Sequence, residues 1–415
     1  MKIERIIGRE IYDSSGWPTV ACDILLENGA IVSAAVPTGT SVGSHEAMAL
    51  LDGGPRLCGK GVQRAVSNID QIIAPLFVGQ EPQALEMDLK MIELDGTEDK
   101  SKLGANALLA VSMALYRAEA LCEGMELYEF IATLMDEDTV SIPFPLLNVI
   151  NGGAHTDNNL RIQEFLIMPV GAPTFRSALE VGTLVFHELG EILKSLDKST
   201  ALGMEGGYAC NFRTEREALD LLLEAIERIN SRHTLSCVIA LDIAASEFYD
   251  PATGLYQWHE RFLSTDEMIA FYQDLVLQYP IYSIEDGLSQ DDWLGWAKLT
   301  QTLKEKVQIV GDDIFATNMY RIAQGAENNV ATSVIIKPNQ VGTITETLQS
   351  IGVCKTSGLH TIISHRSSET EDTFIADLAV GTSAGQIKSG SCARSERVAK
   401  YNRLLAIEDT LTFSS

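Results

Sequence analysis

VIALDIAASEF (residues 238–248) is a short apolar run that ends in an acid and passes into a polar turn, and the same pattern recurs through residue 390. It returns in IYSIEDG (281–287), VQIVGDD (307–313), SVIIKPNQ (333–340), HTIISHRSS (360–368) and GQIKSG (385–390). Each run is about four β-favouring residues long without polar alternation, as in a strand buried on both faces, and a segment of helical periodicity follows each. That is a βα repeat. The charged residues fall at or just after the carboxyl ends of the runs: Asp242, Glu285, Asp312, Lys337, His365 with Arg366, and Lys388. If the strands close into a parallel barrel, these residues converge on one rim, where barrel enzymes place their chemistry. Three carboxylates and two lysines gathered there call for a bound cation, so a metal site is expected.

Working outward, PFPLLNVINGGAHTDNN and LRIQEFLIMPVGA (143–172) read as two strands around a polar tip that carries His155. Glu164, beside Gln163, interrupts an otherwise apolar strand, and its neighbours Phe165, Leu166 and Ile167 argue for partial burial. Two helices follow, at 175–196 and 215–229. Upstream, residues 1 to about 35 alternate in the strand manner, with Glu27 to Ala30 as a hairpin turn, so an antiparallel meander opens the chain. PTGTSVGSH (37–45) is a Gly-rich polar loop, either a connector or a lid over the barrel. Helical segments come next, clearest at 103–124 with Gly124 as the stop. The polar stretch near Asp136 and the prolines 143 and 145 place a boundary, giving an N-terminal α+β domain at 1–137 and a barrel domain at 138–415.

With 415 residues and 46% hydrophobic content the chain can bury a large core. No window is apolar enough to span a bilayer and the start lacks the apolar region of a secretory signal, so a cytoplasmic location is expected. A formal charge of -26 disfavours nucleic acid and anionic membranes as partners, and requires local cationic clusters wherever an anionic substrate binds. The seven cysteines show no C-x-x-C spacing and read as buried free thiols.

Long ordered motifs carry a resemblance along essentially the whole chain: LDGTEDKSKLGANALLAVS (94–112), NVINGGAHTDNN (148–159), QEFLIMP (163–169), EGGYA (205–209), IIKPNQVGT (335–343), ISHRSSETEDTFIADLAVG (363–381) and ARSERVAKYN (393–402). In these the sequence resembles enolase, the phosphopyruvate hydratase of glycolysis. The resemblance implies an α/β fold, a C-terminal TIM-type barrel of ββαα opening followed by βα units, with a smaller N-terminal α+β domain. It implies dehydration of 2-phospho-D-glycerate to phosphoenolpyruvate. Two magnesium ions are implied, one on Asp242, Glu285 and Asp312, the second arriving with substrate and held partly by Ser41 of the loop, which makes the loop a lid. Lys337 matches the base, made neutral by nearby cations, and Lys388 the partner of the substrate carboxylate. Glu205 matches the general acid, with Glu164 beside it to share a proton, and His155 contacts the leaving group. Gln163, His365, Arg366 and Ser367 match substrate binders, Arg366 and Ser367 on the phosphate. A homodimer or higher homo-oligomer is implied.

Several positions depart from the family pattern. Met204 replaces an aspartate before the matched acid, where an apolar neighbour either raises the Glu205 pKa or misplaces the side chain. Ser368 replaces a glycine after the Arg-Ser pair and restricts the backbone there. Thr38, Val42, Leu51 and Gly54 alter the lid region, Ser15 and Trp17 alter DSSGWPT (13–19), and Cys210 replaces a proline. Ala21 and Ala406 remove a charge pair of the family's dimer interface, worth only about 1 kcal/mol if exposed. These departures motivate a second reading, an enolase paralogue acting on a related phosphate or phosphonate in the manner of carboxyphosphonoenolpyruvate synthases. A third is a surface-binding scaffold, which would need none of the proton, metal and phosphate residues.

Overall fold

The computed structural model describes residues 1–39, 43–232 and 236–414. β1 (Ile3–Tyr12), β2 (Pro18–Leu26) and β3 (Ile31–Ala35) form the expected antiparallel sheet in that order. The tight turn sets Leu25 opposite Ile31 and needs Gly29 at φ 85°. Helices α1 (Ala84–Asp95), α2 (Ala105–Glu123) and α3 (Leu127–Leu134) follow. α2 stops at Gly124, φ 70°, the left-handed conformation that glycine adopts without a Cβ penalty. It is buried nearly all round because β2 and β3 pack on one side and residues 338–356 of the barrel on the other.

The remaining elements are β4 (Phe144–Asn151), β5 (Glu164–Val170), α4 (Phe175–Ser195), α5 (Glu215–Asn230), β6 (Ser236–Asp242), α6 (Thr265–Gln278) and β7 (Ile281–Glu285). Then come α7 (Trp293–Leu303), β8 (Gln308–Gly311), α8 (Met319–Glu327), β9 (Ser333–Ile336), α9 (Ile344–Thr356), β10 (His360–Ser364), α10 (Phe374–Gly381), β11 (Gln386–Lys388) and α11 (Ser395–Ser414). β4 to β11 close into a barrel in chain order. Leu146, Leu166, Ala240, Val310, Ile335 and Ile362, from six of the strands, fill its interior as a cluster separate from the main core. Strands packed on both faces explain the unbroken apolar runs.

The six strands β6 to β11 are parallel in series, as expected of the recurring runs, and β5 of the ββ opening runs antiparallel to both β4 and β6. Residues 152–163 form the tip between β4 and β5, which pair as an antiparallel hairpin. Two expectations need correction. β6 does not lead directly into a helix, because residues 249–263 first form a small three-stranded antiparallel sheet whose strands are two to four residues long. The cysteines are free, but Cys58 is exposed and only Cys22, Cys210, Cys237 and Cys354 are buried. Among the described residues no helix is long and apolar enough to cross a membrane.

Candidate active site

The reversed strand decides the composition of the rim. Asp242 and Glu285 end β6 and β7, Lys388 ends β11, and Asp312, Lys337 and His365 follow β8, β9 and β10 by one residue. Glu164 begins β5, yet because β5 is inverted its first residue pairs in register with Asp242 and with Asn151 of β4. A carboxylate from a strand's amino end thereby joins those from carboxyl ends. One cavity is lined by His155, Gln163, Glu164, Glu205, Asp242, Asp312, Lys337, His365, Arg366, Ser367 and Lys388. Glu285 meets this group through Lys388. Ser41, expected in the lid as a metal and substrate ligand, lies outside the described residues, as does Val42.

Lys388 is the electrostatic centre. Its Nζ donates to Asp242 Oδ2 at 2.8 Å, Glu285 Oε1 at 2.9 Å and Glu164 Oε1 at 2.9 Å. Burial disfavours its charge, but these carboxylates outweigh burial and hold the ammonium well above its ordinary pKa. One cation cannot ionise all three acids. Burial and then Asp242 hold Glu285 well above the usual carboxylate range. Burial would also raise Asp242, yet Lys388 overcomes this and lowers it. Lys337 pairs with Asp312, whose other oxygen accepts from Gln340 Nε2 at 3.1 Å. Burial acts to lower the Lys337 pKa, but the Asp312 carboxylate beside it more than compensates and raises it.

Asn148 Nδ2 donates to Glu164 Oε2 and to Glu205 Oε2, each at 2.8 Å, binding the two carboxyls into one unit. Burial, then repulsion from Glu205, pushes Glu164 well above its ordinary value. Burial pushes Glu205 the same way, but His155 and His365 reverse it and hold Glu205 well below. His155 Nδ1 faces Glu205 Oε2 at 3.2 Å, and His365 Nε2 faces Glu205 Oε1 at 3.5 Å. Their surroundings thus push the two acids in opposite directions, Glu164 up and Glu205 down. Met204 is half-buried and lines a neighbouring outer cleft with Ser14, Ser15 and Arg394. Glu205 itself is placed by glycines: Gly206 has φ 89°, and a Cβ there would stand 2.8 Å from the Ala393 carbonyl.

Arg366 is buried and its fork meets both oxygens of Glu46, at 2.6 and 3.1 Å, with Asn339 Oδ1 at 3.1 Å from Nη1. Glu46 Oε1 also accepts from the Gly43 amide at 3.0 Å, so the described end of the lid is tied to the matched phosphate binder. Ser368 does not restrict the chain as expected. Its φ is not positive, and its backbone bridges to Thr38 through hydrogen bonds of 2.9 and 3.0 Å, an ordinary extended pairing open to any residue.

Residues that sequence reasoning passed over complete the rim. Asp286 accepts from the Asp312 amide at 2.8 Å and the Asp313 amide at 3.1 Å, and carboxyl oxygens of Asp286, Asp312 and Asp313 gather within 4.8 Å. Asp286 at φ 45° and Ala244 at φ 48° show backbone strain just beyond the matched ligands, where functional sites concentrate it. The second acids of IEDG and GDD, and Asn148 inside an apolar run as Glu164 is, were the available signals.

Among the described residues, eight acidic side chains and three cationic ones line the cavity. Such an excess of buried carboxylates, with burial and then Asp242 holding Glu285 well above the usual carboxylate range and Gln163 Oε1 buried without a partner, suits a hard divalent ion with oxygen ligands. The residues present therefore fit a metal. Comparison with known families agrees with this chemistry. Residues 139–415 match the family model described as enolase, C-terminal TIM barrel domain, and residues 3–131 match the model described as enolase, N-terminal domain.

Proposed function

Because the chain belongs to the enolase family, and so is a lyase-type enzyme of the enolase superfamily, we propose that it interconverts 2-phospho-D-glycerate and phosphoenolpyruvate with magnesium. The observation that carries this reading is the convergence on one cavity of a buried lysine, a carboxyl pair bridged by Asn148, and a buried arginine. Lys337 takes the proton alpha to the substrate carboxylate. The Glu205–Glu164 pair delivers a proton to the departing C3 hydroxyl, with Asn148 and His155 holding its geometry. Arg366 and Ser367 receive the phosphate, Lys388 the carboxylate, and Gln163 and His365 line the pocket. Asp242, Glu285 and Asp312 would hold one magnesium ion and Ser41 would help to hold a second, and the ions would supply positive charge to offset negative charge developing on the substrate. The proposal includes a homodimer or larger homo-oligomer, checked by sedimentation.

The test is magnesium-dependent appearance of phosphoenolpyruvate absorbance from 2-phosphoglycerate, for wild type, Lys337→Ala and Met204→Asp. We expect wild-type turnover, a loss of at least about 10³-fold in Lys337→Ala, and little change in Met204→Asp, since Met204 faces the outer cleft. No wild-type turnover, or turnover only in Met204→Asp, would overturn the substrate assignment and favour a phosphonate analogue.

A further inference from the structure

ARSERVAKYN (393–402) leads from barrel strand β11 into α11, and three of its side chains reach the site loops. Arg397, Lys400 and Tyr401 lie at i, i+3 and i+4 on one helix face. Lys400 Nζ donates to Glu369 Oε2 at 3.0 Å, and Tyr401 donates to the Gly390 carbonyl at 2.8 Å. Arg397 is wholly buried. Its Nη1 lies 2.6 Å from His365 Nδ1 and 2.5 Å from the Arg366 carbonyl, and its Nη2 lies 2.5 Å from the Ser367 carbonyl and 3.3 Å from that of Met204. One guanidinium therefore spans the loop after β10 and the loop that carries Glu205.

We propose that Arg397 is a positioning residue that fixes the His365 imidazole as its Nε2–H tautomer, directed at Glu205. A guanidinium has only donors and stays charged, so the ring nitrogen it meets must present a lone pair. Nδ1 is that nitrogen, which leaves the ring proton on Nε2, 3.5 Å from Glu205 Oε1. A second ring proton would need Arg397 to leave. The groups facing the ring agree: burial acts first to hold the imidazole neutral, Arg397, Lys388 and Lys337 act in the same sense, and Glu205 alone among these opposes them. His365 thus serves Glu205 as a neutral donor on Oε1, while Asn148 and His155 occupy Oε2. The catalytic consequence rests on the proposed reaction; the tautomer does not.

Nitrogen NMR of the protein labelled at its histidine rings tests the tautomer without substrate, His365 being identified by loss of its signals in His365→Gln. We expect a protonated Nε2 and an unprotonated Nδ1, unchanged between about pH 6 and 9. A protonated Nδ1, a tautomer mixture or titration in that range overturns the proposal, even if every Arg397 variant fails to fold. Kinetics then test the role. Arg397→Gln should lower kcat about 10²-fold with KM little altered and add an acid-side fall to the kcat–pH profile, and Arg397→Lys should recover much of both. Equal losses in the two variants with an unchanged profile would reduce Arg397 to a structural part. Absence of wild-type turnover on 2-phosphoglycerate alongside the expected ring signals would defeat the reaction assigned above and leave the tautomer standing.

Discussion

At the residue scale, the site is governed by too few cations for its carboxylates. Lys388, about 3% exposed, satisfies three acids at once. Removing one partner from such a buried cluster leaves charges uncompensated, which typically costs about 3–5 kcal/mol. We expect Lys388→Met to lower the metal-free protein's stability by about that much in urea unfolding, and magnesium to restore part of it through the same carboxylates. Unchanged stability without metal would show that these acids fold already protonated. The residues matched to metal ligands could be named from sequence because each stands at a run's end. The direction of each proton equilibrium could not, because it depends on which charges lie within a few ångströms. Glu164 and Glu205 look alike in sequence, yet in the fold Glu205 has His155 and His365 beside it while Glu164 accepts from Lys388.

At the element scale, reversal of β5 and the tight loop at Gly206 place the acid pair. An apolar run identifies a buried strand but carries no strand direction, so an inverted neighbour could not be read from the run itself. The glycine loop was visible as EGGYA, and its physical need is now plain. Gly206→Ala combines a positive φ with a Cβ 2.8 Å from a backbone carbonyl. It should destabilise the protein by about 1–3 kcal/mol and lower kcat more than it changes KM, since Glu205 moves with the loop. Urea unfolding and steady-state kinetics check the two effects, and a variant with wild-type kcat would separate Glu205 from the reaction.

At the scale of the whole molecule, the N-terminal helices and the barrel are joined through buried polar groups. Asp88 of α1 is fully buried and accepts from Ser112 Oγ of α2 at 2.8 Å and from the Thr345 amide and hydroxyl of α9 at 3.0 and 2.8 Å. Arg117 of α2 makes a paired contact of 2.6 and 2.8 Å with Asp372. Burial pushes Asp88 up to about 7. Below an unfolded carboxylate pKa of about 3.9 both states hold the proton and the stabilising difference is complete. Between there and about 7 the folded state retains a proton that the unfolded state has released, so stability falls as pH rises, and above about 7 the loss is finished. Asp88→Asn should remove this part of the slope. The measurement is the urea midpoint at about pH 5 and 8 in wild type and variant, and equal slopes would place the Asp88 proton elsewhere.

The amino-acid sequence alone determined that a barrel of buried strands would carry acids and bases on one rim, and by its motifs that the chain resembles enolase. It did so because burial on both faces demands apolar runs, and because rim chemistry must sit where those runs end. Tertiary structure alone decided that β5 is inverted, that Asn148 couples Glu164 to Glu205, that Glu46 meets Arg366, and that Arg397 reaches His365. These depend on approach distances between segments far apart in the chain. Proton sharing and tautomer choice change over an ångström or two, a scale that the order of residues does not record.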